Sequence, residues 1–327
     1  MRNSFAFLLL FLMFSCQSSN NPQKNKNAAI SGDIIIFHAG SLSVPFQEIA
    51  RDFERENPGV KVLLEAAGSV DCARKITDMH KPCDLMASSD YKIIKKFLIP
   101  GYTSWYLPFA GNEMVIAYTD HSALGDEISV QNWPEILLSE EIRYSRADPD
   151  ADPCGYRTVM VMQLAGLYYG RNDLANKLAA KDQRYIRPKE VDLLALLELH
   201  ETDYIFIYLS VAIQHGLKFL ELPDEINLKK MELNEHYKQA GVKIKGNTPS
   251  SQIEVRGEAI VYAVTELDNA PNPLVAEAFL NYLLNNEKGM KIMNQTGHKS
   301  LIPVPQNPDM KLPEYLNQYT IAKTDTI

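Results

Sequence analysis

Past residue 33 the chain carries an apolar run, Ile34-Ile35-Ile36-Phe37, which ends in the small-residue turn His38-Ala39-Gly40-Ser41. An unbroken β-branched run predicts a strand buried on both faces. Val44, Phe46, Ile49, Ala50 and Phe53 follow at helical spacing, up to the stop Asn57-Pro58-Gly59. The unit then repeats: a strand over residues 60–65, the turn Ala66-Ala67-Gly68-Ser69, and a helix with Ala73, Ile76 and Met79 on one face. Asp84-Leu85-Met86-Ala87-Ser88-Ser89 reads as a third strand and its turn, with a short helix over 91–98. Strands alternating with helices predict an α/β fold with a parallel sheet, its turns gathered at the carboxyl edge where ligand crevices form.

Farther along, residues 112–118 read as a strand, and the pattern then changes character. Trp133-Pro134-Glu135 opens a short helix and Ile142-Arg143-Tyr144-Ser145 is a short strand, so a crossing into a second lobe is expected near Tyr118. Asp152 is placed to cap a helix with Pro153 at its first position, and residues 158–169 are apolar on nearly every side. An amphipathic helix spans 189–197, and a strand spans 203–208 and leads into Ser210-Val211-Ala212-Ile213. Further strands are expected at 217–222, 253–255 and 259–265, and helices at 273–285 and 288–294. The proline-interrupted tail Leu301-Ile302-Pro303-Val304-Pro305 is extended and returns to the first lobe.

The amino terminus changes the picture of location. One charge, Arg2, precedes an apolar run from Phe5 to Phe14, then Ser15-Cys16. Such a run is too short to span a membrane and reads as a signal peptide over residues 1–15. A small residue followed by Cys resembles a bacterial lipobox, in which Cys16 is lipidated, and the polar stretch 16–30 is a flexible tether. Loss of Arg2 leaves the mature chain one unit more acidic than −8, which argues against nucleic acid as a partner. Roughly 290 residues remain, enough for two lobes. Of the other cysteines, Cys72 and Cys83 are close in sequence, and an exported protein permits a disulfide between them.

Three helix starts carry the candidate chemistry. Gly40-Ser41 and Gly68-Ser69 each place a hydroxyl and free N–H groups at the positive end of a helix, a setting for an anion; simple capping by Ser41 or Ser43 is the other reading. The third is Asp152-Pro153-Cys154-Gly155. Asp148, Asp150 and Asp152 alternate as in a calcium loop, but Pro153 stands where that loop needs Gly and Val159 where it needs Glu. A secreted serine hydrolase or phosphatase using Ser41 is a remote alternative, since G-x-S-x-G, H-E-x-x-H and C-x-x-C are all missing.

Together these residues resemble the periplasmic tungstate/molybdate-binding proteins of ABC importers, an archaeal-type family. The likeness runs from about 33 to 312 and rests on Phe37-His38-Ala39-Gly40-Ser41-Leu42, Gly68-Ser69-Val70, Ala147-Asp148-Pro149-Asp150, Asp152 to Arg157, Tyr185 to Asp192, and Ser210-Val211-Ala212 with Gln214-His215. The resemblance implies a two-lobed periplasmic-binding-protein fold of type II, each lobe a mixed sheet flanked by helices. Lobe I would span 31–117 and 268–327, and lobe II 118–267. It implies a non-enzymatic, monomeric lipoprotein without a cofactor, which captures molybdate or tungstate and passes it to a membrane permease. Gly40, Ser41, Ser69, Asp152, Pro153 and Cys154 match the family's oxyanion contacts, with Tyr208 close by. The family's second metal-binding carboxylate is expected at the position of Ile207, so a tetrahedral anion held by hydrogen bonds is expected, with Asp152 at most a single metal ligand. Sulfate or another tetrahedral oxyanion is then the competing ligand. The resemblance also favours pairing of Cys72 with Cys83.

Overall fold

The computed structural model describes residues 30–246, 251–307 and 310–322; the expected signal peptide, Cys16 and nearly all of the tether lie outside them. In chain order the main strands are β1 (Gly32–Ala39), β2 (Val60–Ala67), β3 (Leu85–Ser88), β4 (Leu107–Asn112), β5 (Met114–Tyr118), β6 (Tyr144–Ser145), β7 (Tyr204–Tyr208), β8 (Lys218–Glu221), β9 (Gly241–Lys245), β10 (Gln252–Arg256), β11 (Ile260–Glu266) and β12 (Lys299–Ser300). Six of them form one sheet in the order β12-β4-β11-β3-β1-β2, and four form a second in the order β6-β7-β5-β8.

In the first sheet β1 runs parallel to β2 and β3, and Ala39 at its end lies beside Ala67 at the end of β2. The two Gly-Ser turns therefore emerge side by side, and Ser88-Ser89-Asp90 leaves β3 at the same edge. Helix α1 (Ser43–Glu56) buries Phe46, Ile49, Ala50 and Phe53, an i, i+3, i+4, i+7 stripe. Phe46 and Phe53 meet Phe279 edge to face. Helix α2 (Ser69–Thr77) buries Val70, Cys72, Ala73 and Ile76.

The chain changes sheets at Glu113, between β4 and β5, and again between β10 and β11. Both crossings come earlier than the pattern suggests. Met114–Tyr118 pairs with β7 and β8 in the second sheet, while Ile260–Glu266 pairs with β3 and β4 in the first. An apolar strand looks the same in either sheet; only its partners tell them apart. The tail does return to the first sheet, through β12 on β4 and a hydrogen bond from the N–H of Leu301 to Phe109.

No bridge joins Cys72 to Cys83. Both are buried free thiols, Cys72 bonded to the carbonyl of His38 at 3.5 Å and Cys83 to that of Leu85 at 3.1 Å. Each thiol thus has a backbone acceptor of its own, and burial pushes the Cys72 thiol up to about 12.

Candidate functional site

The carboxyl edge of the first sheet faces the start of the helix Pro153–Tyr168. Two glycines show how closely the jaws meet. A Cβ on Gly68 would lie 2.3 Å from the carbonyl oxygen of Ala151, and one on Gly40 would lie 3.0 Å from Oε2 of Glu190. At Gly68 only hydrogen fits, and at Gly40 a Cβ would press the Glu190 carboxylate aside.

Ser41 does not cap α1, which has no side-chain cap, and its Oγ instead meets Tyr262 Oη at 2.9 Å. Ser69 Oγ accepts from the N–H of Ser89 at 3.0 Å and lies 3.2 Å from Ser89 Oγ. Both serines are fully buried. The first N–H groups of α2 have no partner inside the helix, as at any helix start.

The opposing jaw differs from the expected anion-binding helix start. Asp152 caps the helix as its sequence predicts, Oδ1 accepting from the N–H of Cys154 at 2.8 Å and Oδ2 from the N–H of Glu190 at 3.1 Å. Pro153 has no N–H, and the Gly155 N–H bonds the Asp152 carbonyl. The donors of this helix start are therefore occupied by Asp152 itself, and the jaw presents carboxylate oxygen rather than free N–H. The Cys154 thiol sits near the carbonyl of Phe206 at 3.7 Å, and burial, then the charges of Asp152 and Glu190, keep it protonated.

Glu190 is the residue that motif reading misses. It is 1% exposed, no N–H and no cation among the described residues reaches either carboxylate oxygen, and its polar neighbour is the carboxyl of Asp152. Burial and the neighbouring Glu190 push the Asp152 carboxyl well above the usual range. Ile207, the position at which the resemblance places a second carboxylate, lies fully buried in β7 within the hydrophobic core. That position carries no carboxylate, and the acid beside Asp152 is Glu190, which arrives from another element. A signal is present in the sequence, because Glu190 shares the i, i+3, i+4, i+7 face with Leu193, Leu194 and Leu197, all buried. A charge on an apolar face needs a function or a partner.

Behind the carboxylates lies a buried cation. Arg157 donates to the carbonyl of Ser89 and to Tyr208 Oη, both at 2.8 Å, and lies 3.2 Å from Asp90, which also accepts from Tyr156 Oη at 2.7 Å. Burial opposes its charge, but Tyr208, Asp90 and Tyr156 outweigh burial and hold Arg157 protonated. Since guanidinium only donates, Tyr208 Oη accepts from it and keeps its own hydrogen for another group. Of the predicted site residues, Gly40, Ser41, Ser69 and Asp152 line the meeting of the jaws. Tyr208 backs it through Arg157, and Pro153 and Cys154 shape the helix start.

Outside this meeting point, a crevice of about 310 Å³ is lined by Gly68, Asp71, Arg74, Lys75, Lys189 and Asp192, among others. Among the described residues no cluster of three or more His, Cys, Asp or Glu is arranged to hold a metal ion.

Residues 34–299 match the family model of bacterial extracellular solute-binding proteins. An uncharacterized solute-binding protein of Petrotoga mobilis is 47% identical over 84% of this chain and 85% of its own length. The molybdate/tungstate-binding protein WtpA of Thermococcus kodakarensis is 40% identical over 90% of each chain. Among solved structures, the periplasmic molybdate-binding protein of Azotobacter vinelandii aligns with a TM-score of 0.59 at 17% identity, over 84% of this chain and 100% of that one. The sulfate-binding protein SubI of Mycobacterium tuberculosis aligns with 0.59 at 15% identity, over 82% and 87%, so these two share the fold. On this similarity the chain belongs to the bacterial extracellular solute-binding proteins.

Proposed function

We propose that this protein captures molybdate or tungstate between its lobes and delivers it to the permease of an ABC importer, acting as a binding protein and not as an enzyme. The observation that carries the ligand class is the buried Asp152–Glu190 pair, two neighbouring carboxyl groups with no cation bonded to Glu190 among the described residues. Two carboxylates facing an oxyanion repel it unless one holds a proton or both bond to its central atom. Molybdenum and tungsten accept extra oxygen ligands and sulfur does not, so the pair favours a metal oxyanion expanded to six oxygens. Ser41 and Ser69 supply hydroxyl donors from the first lobe. This reading replaces the tetrahedral arrangement that Ile207 alone suggests.

Capture works through closure. An anion touching Ser41 and Ser69 in one lobe and Asp152 and Glu190 in the other binds fully only when the jaws meet, and binding shifts the population toward that form. Identity to WtpA supports the ligand class. The family acts outside the cytoplasm, and the Cys16 motif supports lipid anchoring there.

Calorimetric titration with tungstate, molybdate and sulfate tests the reading. Tungstate and molybdate bind, and sulfate binds at least about 100-fold more weakly, because an uncompensated buried carboxylate costs roughly 3 kcal/mol or more. Equal sulfate affinity overturns the ligand assignment. X-ray absorption of the tungstate complex should show six oxygen neighbours; four would remove the two carboxylates from the metal shell.

A further inference from the structure

We propose that Asn112 and Tyr262 are positioning residues: they force the Ser41 hydroxyl to act as a donor toward the cleft and tie that donor to the hinge between the lobes. The proposal rests on the oxyanion reading and adds two residues that touch no ligand.

Counting hydrogens fixes the direction of each bond. Asn112 ends β4, one residue before the chain crosses to the second sheet. Its Oδ1 accepts from the N–H of Glu113 at 2.9 Å and of Ser210 at 3.4 Å. Two converging donors fix which end of the amide is oxygen, because the flipped amide would set its NH₂ against two N–H groups. Both hydrogens of Nδ2 then have acceptors, Ser210 Oγ at 2.8 Å and Tyr262 Oη at 3.1 Å. The phenol of Tyr262 accepts from Asn112, and its single hydrogen goes to its other neighbour, Ser41 Oγ at 2.9 Å. Ser41 is therefore an acceptor from Tyr262. Its own hydrogen has no acceptor among the described residues, and the jaw opposite Gly40 carries Glu190.

Water competes little with these bonds, since Ser41 and Tyr262 are fully buried and Asn112 is nearly so. Burial also pushes the Tyr262 phenol far above its ordinary value, so it stays a donor. A fully deprotonated oxyanion can only accept. A hydroxyl already turned to donate meets it without reorganising.

The chain of bonds also spans the hinge. Asn112 pairs with Ile260 in the first sheet, while Ser210 stands in the first turn of a helix, Leu209–Gln214, in the second lobe. One amide thus holds a residue of each lobe, and the amide orientation depends in part on Ser210 being where the closed arrangement puts it.

A double-mutant cycle on the full chain, titrated with tungstate, tests this. Tyr262→Phe weakens tungstate about fivefold to tenfold, in the range of one hydrogen bond to an anion. In the Ser41→Ala background the same change alters affinity less than about twofold, because the residue acts only through Ser41. Full additivity, with Tyr262→Phe weakening Ser41→Ala protein as much as wild type, overturns the proposal. Asn112→Ala, read against Ser41→Ala in the same way, carries the test if Tyr262→Phe does not fold. Wild-type protein that binds no oxyanion would overturn the oxyanion reading and this proposal together. Wild-type binding with an additive cycle overturns this proposal alone.

Discussion

Glu190 and Asp152 lie 38 residues apart in sequence, yet the N–H of Glu190 bonds Asp152 and their carboxylates share one dry site. Asp152 is an acid whose folded pKa stands above its ordinary 3.8, through burial first and Glu190 second. The folded protein therefore holds a proton that the unfolded chain releases, so stability is full below 3.8 and is lost as pH rises toward the folded pKa. Ligand-free protein should melt at lower temperature as pH rises from about 4 toward that raised value, over and above the other titrations. Glu190→Gln removes the second cause. Scanning fluorimetry against pH should show the variant with a shallower decline than wild type, while its tungstate affinity falls. A decline as steep as that of wild type would mean the two carboxylates do not repel. Gly68→Ala tests the other jaw. Its Cβ would sit 2.3 Å from the backbone oxygen of Ala151, and overpacking costs typically 1–3 kcal/mol, so tungstate binding should fall about tenfold or more with the first sheet intact.

At the scale of elements, the helix Pro153–Tyr168 does more than end in the cleft. Its first turns send Tyr156 and Arg157 across to Ser89 and Asp90, which leave the edge of β3 beside Ser69. Asp90→Asn leaves Arg157 buried without a counter-charge, a change worth about 3–5 kcal/mol in similar pairs. The variant should bind tungstate at least about tenfold more weakly and show a larger radius of gyration in solution scattering, because the Arg157–Asp90 pair joins the lobes. Unchanged scattering and affinity would make the pair a feature of one lobe's interior. This helix, β1 to β3 and the two Gly-Ser turns are legible in the sequence because each is a local pattern: an apolar run, a small-residue turn, a cap followed by proline. Glu190 is legible only as a charge on an apolar face. What gives it a role is the path of residues 183–190, which returns beside Ala147 and Asp148 and delivers it to Asp152. The strand β9, at 241–245, has no such local pattern; it is half-exposed and is defined by its pairing with β10. The lobe boundaries escape the pattern for the same reason, since sheet membership is a long-range property that an apolar strand does not carry in its own residues.

At the scale of the whole molecule, an acidic protein must admit a dianion. The formal net charge is −8, while the crevice outside the cleft carries Arg74, Lys75 and Lys189 against Asp71 and Asp192. The two fields act over different ranges. At about 0.01 M salt the Debye length is roughly 30 Å, so an approaching anion feels the repulsion of most of the molecule; near 0.15 M it is about 8 Å, and only the crevice matters. Electrostatic steering then predicts the opposite of the usual trend for charged ligands. The association rate of tungstate, followed by stopped-flow fluorescence, should rise with salt over this range, because screening removes the long-range repulsion before it weakens the local attraction. Dissociation should change less, since the pair that joins the jaws, Arg157 with Asp90, is buried and little screened. Reversing Lys75 and Lys189 to Glu should slow association and steepen its rise with salt. A rate that falls as salt increases would mean that the crevice lysines dominate from the start, and that the net charge of the molecule plays no part in capture.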